Sequence, residues 1–489
     1  MEATERQRRV DVVVPTAGRP SLRRLLAALE PQREGLGRIL VVEDDGRGPA
    51  AARNRGWRGS GAEWVAFLDD DVVPGPDWAR RLSADLEGLP AAVAGSQGRL
   101  RVPLPEERRP TDWERNVAGL EGAPWISADI AYRRVALESV GGFDERFRRA
   151  YREDTDLAMR LLRRGWQIVR GERAAEHPVP PAGFWVSVGR QRGNADDVLM
   201  RALHGRHWRA WGGAPAGRLR RHLLATGSLL AAAAAAGSGR RRAGAALAGA
   251  WLALSGELAL GRIAPGPRDR EEVGRMLATG AVLPLAASWW WALGWFRLPL
   301  LLLRHGPAES PEGAPPLRPE AVLLDRDGTI LFDVAYNGDP AKVAPLPGAR
   351  RALERLRAAG LPLAVVSNQS GVARGLIDAA QVEAVNRRAE ELLGPIGPWL
   401  FCPHGPDDGC ECRKPAPGLV LAAAERLGVE PERCAVIGDI AADVQAAQAA
   451  GAAAVLVPTP RTEEEDVRMA PRAAPSIEAA VNRLLKEQP

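Results

Sequence analysis

The sequence predicts two α/β domains joined by a helical, apolar segment. Three observations carry that expectation. Short Val/Ile/Leu runs alternate with helical stretches over residues 1–200, and again over 320–489. Residues 201–305 lose this alternation and hold 15 arginines against four acidic residues, with seven of the 15 tryptophans. Residues 306–319, GPAESPEGAPPLRP, have the Pro/Gly content of a linker. The 489 residues accommodate about three units of ordinary domain size.

Composition removes several classes. With 46% hydrophobic and 26% charged residues, the chain is neither wholly disordered nor collagen-like. Only three of 66 basic residues are lysines: Lys342, Lys414 and Lys486. A lysine against that background is less readily filler than an arginine. All four cysteines lie in the last fifth, and Cys402, Cys410 and Cys412 fall within eleven residues, which excludes a disulfide scaffold. No apolar stretch before a cleavage site follows the N-terminal Met, so a cytoplasmic, reducing setting is expected.

In the first domain, VDVVVP (10–15) is the opening strand and TAGRPSLRRLLAAL is loop and helix. ILVVEDDG (39–46) and WVAFLDDDVVP (64–74) are strands ending in acids. Ligands of open α/β sheets bind at the carboxyl ends of strands. Paired carboxylates there can hold Mg²⁺ or Mn²⁺ against a diphosphate, because hard cations take oxygen ligands. Asp69-Asp70-Asp71 directly after an apolar strand is the strongest such signal.

Together VVVPTAGRP, VVEDDG, AARNRGW, FLDDDVVPGPDW and GGFDERFRRAYREDTDLAMRLLRRGW resemble family 2 glycosyltransferases of the GT-A fold, over residues 8–200. The resemblance implies that Pro15, Thr16 and Arg19 line the nucleotide pocket. Asp44 or Asp45 would face base or ribose, and Arg53 and Asn54 would lie near the diphosphate. Asp69 and Asp71 form the D-x-D pair, with Asp71 the direct metal ligand and His177 a late one. Of Glu153 and Asp154, Asp154 matches the base that deprotonates an acceptor hydroxyl. The competing reading makes both acids a helix cap. The partners so implied are a nucleotide-sugar donor and a glycan or lipid-linked acceptor.

The middle segment runs from Met276 to Phe296 without a charge, with Pro284 interrupting it and LPLLLL after Arg297. Weaker apolar runs are Leu223–Gly239 and Ala243–Gly256, separated by Arg240-Arg241-Arg242. Basic flanks and tryptophan clusters suit an anionic lipid surface better than nucleic acid. A buried Ala/Leu bundle is the competing expectation.

In the last domain, AVLLDRDGTIL (321–331) ends a strand on Asp325, placed to attack phosphorus as a nucleophile. Asp327 can protonate the leaving oxygen and then activate water, and Thr329 follows in the turn. LAVVSNQSG (363–371) ends in Ser367 and Asn368, which can hold the phosphoryl group, and Lys414 supplies a positive charge. AVIGDIAADVQAA (435–447) adds Asp439 and Asp443, which with Asp325 and Asp327 make the expected Mg²⁺ set. The spacing C-x-H-x5-C-x-C, from Cys402, His404, Cys410 and Cys412, makes a closed tetrahedral set for structural Zn²⁺.

This motif order resembles the haloacid dehalogenase superfamily. DRDGT, SNQSGVARG and CRKPAPG look most like its heptose 1,7-bisphosphate and histidinol phosphatases. The resemblance implies an aspartyl-phosphate intermediate and a sugar-phosphate substrate. Between the first two motifs only FDVAYNGDPAKVAPLPG intervenes, too short for a cap domain. Arg413 is expected to read a second substrate phosphate through its planar fork. The combined expectation is a bifunctional enzyme of surface-glycan metabolism at the inner face of the cell membrane. A histidinol-phosphate or other small-molecule phosphatase fused to a non-catalytic carbohydrate-binding module is the alternative.

Overall fold

The structure, a computed structural model, describes residues 10–308 and 313–486. The N-terminal residues 1–9, read for a signal sequence, and residues 309–312 of the expected linker lie outside the described residues.

Seven strands form the N-terminal sheet: β1 (Asp11–Thr16), β2 (Ile39–Glu43), β3 (Trp64–Leu68), β4 (Val73–Pro74), β5 (Val93–Arg101), β6 (Asp129–Arg133) and β7 (Gln167–Glu176). Their order is β2-β1-β3-β6-β5-β7-β4. β1 runs parallel to β2 and β3, while β6 is antiparallel to β3. β1 and β3 are buried along their whole length, as expected of apolar strands covered on both faces. The carboxyl ends of β1, β2 and β3 therefore deliver Thr16, Asp44 and Asp69 to one edge.

The long helices of the middle segment are Leu219–Gly237, Arg241–Ile263 and Arg270–Leu302. The last continues through Pro284, where the sequence suggested an interruption. It lies along the N-terminal domain, with Arg275 over the Phe184 ring at 5.7 Å and Arg192 over Trp290 at 5.6 Å. Arg241–Ile263 and Arg270–Leu302 are long and apolar enough to cross a membrane. Leu224, Leu230, Leu252, Leu260, Trp289, Phe296 and Leu303 are exposed.

The C-terminal sheet is wholly parallel: β8 (Ala321–Leu324), β9 (Leu363–Asn368), β10 (Trp399–Cys402), β11 (Cys434–Gly438) and β12 (Ala453–Leu456), in the order β10-β9-β8-β11-β12. Between β8 and β9, residues 332–348 carry a single 3₁₀ turn, so no cap domain covers the strand ends.

The two domains share apolar packing. Phe147, Met159, Trp208 and Trp211 belong to the same buried cluster as Leu456 and Met469. Gln167 Nε2 donates to the carbonyls of Glu432 and Gly451, both at 2.9 Å. Residue 200 lies in the Gly193–His204 helix, which packs on the Arg270–Leu302 helix.

Two candidate active sites

At the edge formed by β1, β2 and β3 lies a cavity of about 960 Å³. Pro15, Thr16, Arg19, Asp44, Arg53, Asp69, Asp71, Glu153, Asp154 and His177 all line it. Arg53 is fully buried and forks between Asp69 Oδ1 (2.6 Å) and Glu153 Oε1 (2.8 Å). Arg19 pairs with Asp71 at 2.6 Å, and His177 Nε2 stands 3.5 Å from the other Asp71 oxygen. Burial, with the like charge of Asp69, holds the Asp71 carboxyl above its ordinary value. Burial does the same for Asp154, against the Thr155 N–H that it accepts at 2.7 Å. The residue before this acidic pair, Arg152, has φ +77°, a left-handed conformation that costs a non-glycine residue energy and clusters at functional sites. The N-cap of the helix they open, Arg152, makes no side-chain hydrogen bond, and Asp154 accepts a backbone N–H of the helix's first turn.

At the carboxyl ends of the C-terminal strands, Lys414 Nζ lies 2.5 Å from Asp325 Oδ1 and 2.6 Å from Asp443 Oδ1, and also donates to the Val366 carbonyl. Ligand oxygens of Asp325, Asp439 and Asp443 gather within 4.8 Å. Burial, reinforced by Asp443, pushes the Asp439 carboxyl up to about 7, and burial raises Asp325 well above the ordinary carboxyl range despite Lys414. Three crowded carboxylates with one ammonium are the donor set that a hard dication would neutralise, so these residues fit Mg²⁺. Gly328, at φ +81°, lets the chain turn there; a Cβ would meet Asp439 Oδ2 at 2.3 Å.

Cys402, His404, Cys410 and Cys412 also present their donor atoms within 4.8 Å. The Sγ separations are 3.3–3.7 Å, and His404 Nδ1 lies 3.3 Å from Cys412 Sγ. Those are the edges of one small tetrahedron, which fits Zn²⁺ with no open position. Arg413 donates to the His404 carbonyl at 3.2 Å, so this loop is tied directly to the residue pair Arg413-Lys414.

Comparison with known proteins identifies both domains. The family model for haloacid dehalogenase-like hydrolases matches residues 332–451, and that for glycosyl transferase family 2 matches residues 12–136. The D-glycero-beta-D-manno-heptose-1,7-bisphosphate 7-phosphatase of Pseudomonas putida is 43% identical over 147 residues, spanning 29% of this chain and 84% of its own. The enzyme of that name from Escherichia coli is 36% identical, over 27% of this chain and 74% of its own. This chain is a haloacid dehalogenase-like phosphatase fused to a family 2 glycosyltransferase. A solved D,D-heptose 1.7-bisphosphate phosphatase from B. bronchiseptica, complexed with magnesium and phosphate, is 34% identical. It covers 34% of this chain and 99% of its own, with a TM-score of 0.31.

Within the transferase half, two expected residues stand outside the cavity lining. Asn54 spends its amide on the Phe143 segment and on Trp57 Nε1, at 2.9 Å each, and so ties the AARNRGW helix to the GGFDE loop. Asp45 is exposed and paired with Arg47 and Arg55 at 3.0 and 2.8 Å, which leaves Asp44 as the cavity residue of that pair. Arg53 lines the cavity with its fork already taken. Asp69, Asp71 and His177 are not among the groups of described residues whose ligand atoms gather within 4.8 Å; Arg53 pairs with Asp69 and Arg19 with Asp71. Asp70, which accepts the Thr16 hydroxyl at 2.6 Å, and Trp113 also line the cavity, neither having been given a role from the sequence. Asp70 was legible in the acidic triplet; Trp113 carried no signal.

In the phosphatase half, Asp327 is separated from the carboxylate group. Arg326, buried and anchored on Asn386 Oδ1, forks onto both its oxygens at 2.9–3.2 Å, and Gln369 Nε2 donates at 2.9 Å. The expectation that the Asp327 carboxylate joins the metal set therefore differs from the geometry, in which Arg326 and Gln369 hold both its oxygens. Asn368 exchanges hydrogen bonds with the Lys414 backbone at 3.0 and 3.1 Å, orienting that lysine. Ser367 Oγ accepts from Gln369 Nε2. The Thr329 hydroxyl is buried with no hydrogen-bond partner among the described residues, as a donor waiting for a phosphoryl oxygen would be.

Proposed function

We propose that the chain is a bifunctional enzyme of surface-glycan metabolism that works at the inner face of the cell membrane. The phosphatase half would remove the 7-phosphate of D-glycero-D-manno-heptose 1,7-bisphosphate, and the transferase half would move a sugar from a nucleotide donor to a glycan or lipid-linked acceptor. The Lys414–Asp325 contact inside a carboxylate cluster carries the first reading, together with the activity of the heptose-bisphosphate phosphatase relatives.

In that reading Asp325 attacks phosphorus, the P–O bond to the sugar breaks, and Asp327 gives its proton to the departing oxygen. Asp327 then takes a proton from water, whose oxygen attacks the aspartyl phosphate and frees phosphate and Asp325. Lys414 and the Thr329 hydroxyl hold the phosphoryl oxygens throughout. Mg²⁺ held by Asp325 and Asp439, with Asp443 behind, would supply neutralisation of phosphoryl charge. In the transferase half Asp154 takes the acceptor proton. The acceptor oxygen then bonds to the anomeric carbon as the bond to the nucleoside diphosphate breaks. Asp69, Asp71 and His177 would hold Mg²⁺ or Mn²⁺ against the diphosphate once Arg19 gives way.

A panel of phosphorylated substrates assayed with the full chain tests the assignment. The heptose bisphosphate should be among the best substrates; histidinol phosphate outranking it would overturn the reading. Zinc is tested separately. Purified protein should carry about one zinc by elemental analysis. The Cys410→Ser/Cys412→Ser variant should lose it, and phosphatase turnover should fall on the order of 100-fold as Arg413 and Lys414 shift. Full zinc content in that variant would sink the four-ligand set.

Membrane association rests on the exposed leucines and aromatics and on Arg240-Arg241-Arg242 at the turn between two apolar helices. Both catalytic domains use cytoplasmic substrates, so they belong on one side of a bilayer. The Arg270–Leu302 helix packs along the transferase domain, which favours helices lying in the interface. The protein should sediment with phosphatidylglycerol vesicles and be released by salt. Changing Arg240, Arg241 and Arg242 to Gln should weaken binding by about 1 kcal/mol per arginine. Protein left in the supernatant at low salt would count against the membrane reading.

A further inference from the structure

The junction between the two domains ends within reach of both sites. On the phosphatase side, the segment after β12 carries Thr462, whose hydroxyl donates to the Asp439 carbonyl at 2.6 Å. Three residues on, Glu465 crosses to the transferase side. Its carboxylate accepts the His207 N–H at 2.8 Å and lies 3.3 Å from Arg206 Nε. Gly205, at φ +84°, makes that approach possible, since a Cβ there would meet Glu465 Oε1 at 2.4 Å. The neighbouring Arg206–Glu463 pair at 2.7 Å is about half exposed on both sides and contributes little. The Glu465 side chain, by contrast, is only 10% exposed.

Beyond His207 the chain of contacts continues into the transferase site. Trp208 is fully packed, and the Arg152 guanidinium lies over its ring at 4.9 Å. Asp197 at 3.0 Å and the Tyr151 ring at 4.4 Å complete the cage around Arg152. Arg152 is the left-handed residue that opens the Glu153–Arg163 helix, so its conformation sets the direction in which Asp154 enters the cavity.

We propose that Glu465 of the phosphatase domain is a positioning residue for Asp154, acting through His207, Trp208 and Arg152. This rests on the reading of Asp154 as the acceptor base. Without Glu465, the His207 N–H and Arg206 lose their shared acceptor and the 205–208 segment is free to shift. Trp208 then no longer fixes the cage, and the strained Arg152 relaxes toward an ordinary conformation. The transferase would reach full rate only with the phosphatase domain docked on it, which gives the fusion a catalytic consequence.

The test uses the full chain, with nucleoside diphosphate release from UDP-, GDP- and ADP-sugars as the transferase readout and hydrolysis of p-nitrophenyl phosphate as the phosphatase readout. Glu465→Ala should lower transferase kcat about 10- to 100-fold, the cost of a displaced catalytic group. Donor KM and phosphatase kcat/KM should stay within about twofold, because neither donor binding nor the phosphatase site is touched. Glu465→Gln, which still accepts the His207 N–H, should recover most of the rate. Unchanged transferase kcat in Glu465→Ala overturns the proposal, and so does a matched fall in both activities, which marks Glu465 as merely structural. Asp154→Asn separates the two layers: retained transfer in that variant removes the base assignment itself, whereas its loss beside an unaffected Glu465→Ala removes only the coupling.

Discussion

Asp325→Asn is expected to lower phosphatase turnover by on the order of 10⁴ to 10⁶, the range seen when a covalent nucleophile is removed. Three features of the site produce this size. Asp325 ends the fully buried strand β8, so the attacking oxygen is fixed by the sheet rather than by a loop. Its partner Lys414 is buried beside it, and the Asp325 and Asp443 carboxylates outweigh burial to raise the lysine above its ordinary value, so it stays charged at any working pH. An asparagine is nearly isosteric and still accepts from Lys414 Nζ, so the fold should survive. What it lacks is the oxyanion that forms the acyl phosphate. It also removes one of the three carboxylates gathered within 4.8 Å, so affinity for Mg²⁺ should fall as well. Phosphate release at saturating Mg²⁺ measures the first effect and a Mg²⁺ titration the second. Transferase turnover in the same preparation should be unchanged. Residual phosphatase activity within about tenfold of the parent would remove Asp325 as nucleophile, since no positional effect alone is so mild for a covalent step.

The two sites differ in how much of them could be read from the chain. The strand-end acids were legible because an apolar run followed at once by Asp has few other uses, and β1, β3, β8, β9 and β11 end where their motifs placed them. The zinc loop was legible because its ligands are local: four donors within eleven residues fix their own geometry. What stayed hidden were partnerships across the fold. Asn54 binds atoms 89 and 91 residues away, so nothing near it distinguished a structural amide from a ligand-binding one. Arg326 looked like a spacer between two aspartates, and the Asn386 that anchors it lies 60 residues on. Glu465 sits in the run Glu463-Glu464-Glu465-Asp466, whose natural reading is a solvated face. Its burial against His207 comes entirely from domain packing. The middle helices show the limit in another way: their length and apolarity were plain, but the run of Arg270–Leu302 along the transferase surface depends on ring contacts to Phe184 and Arg192 that no periodicity encodes.

Arg53→Met should destabilise the transferase half in a strongly pH-dependent way. Arg53 and Glu153 are 1% and 2% exposed at the side chain, and the guanidinium also holds Asp69. Removing one partner of a buried ion pair costs about 3–5 kcal/mol when the other is left charged. Glu153 has a way out, however. Burial, then the adjacent Asp154, push its carboxyl from 4.5 up to about 8, with Arg53 opposing them. For a carboxyl raised in the folded state, the favourable contribution is complete below the unfolded value and is lost as pH rises through the folded one. The parent protein should therefore lose stability between pH 4.5 and 8, and then level off as Arg53 accepts the ionised Glu153. Without Arg53 the folded value moves higher still, so the variant keeps losing stability beyond pH 8. The difference between the two should be small at pH 5, where Glu153 is a neutral acid in both, and should grow above pH 8 by at most about 1.4 kcal/mol per pH unit, to about 1.4 kcal/mol at pH 9. Methionine suits the test because it fills the guanidinium stem's volume without a new charge, and lysine does not, since one ammonium cannot fork between two carboxylates. Urea melts of both proteins at pH 5, 7 and 9 measure the effect. A difference that stays constant across that range would show that Glu153 does not titrate against Arg53, and that the clamp acts only through Asp69.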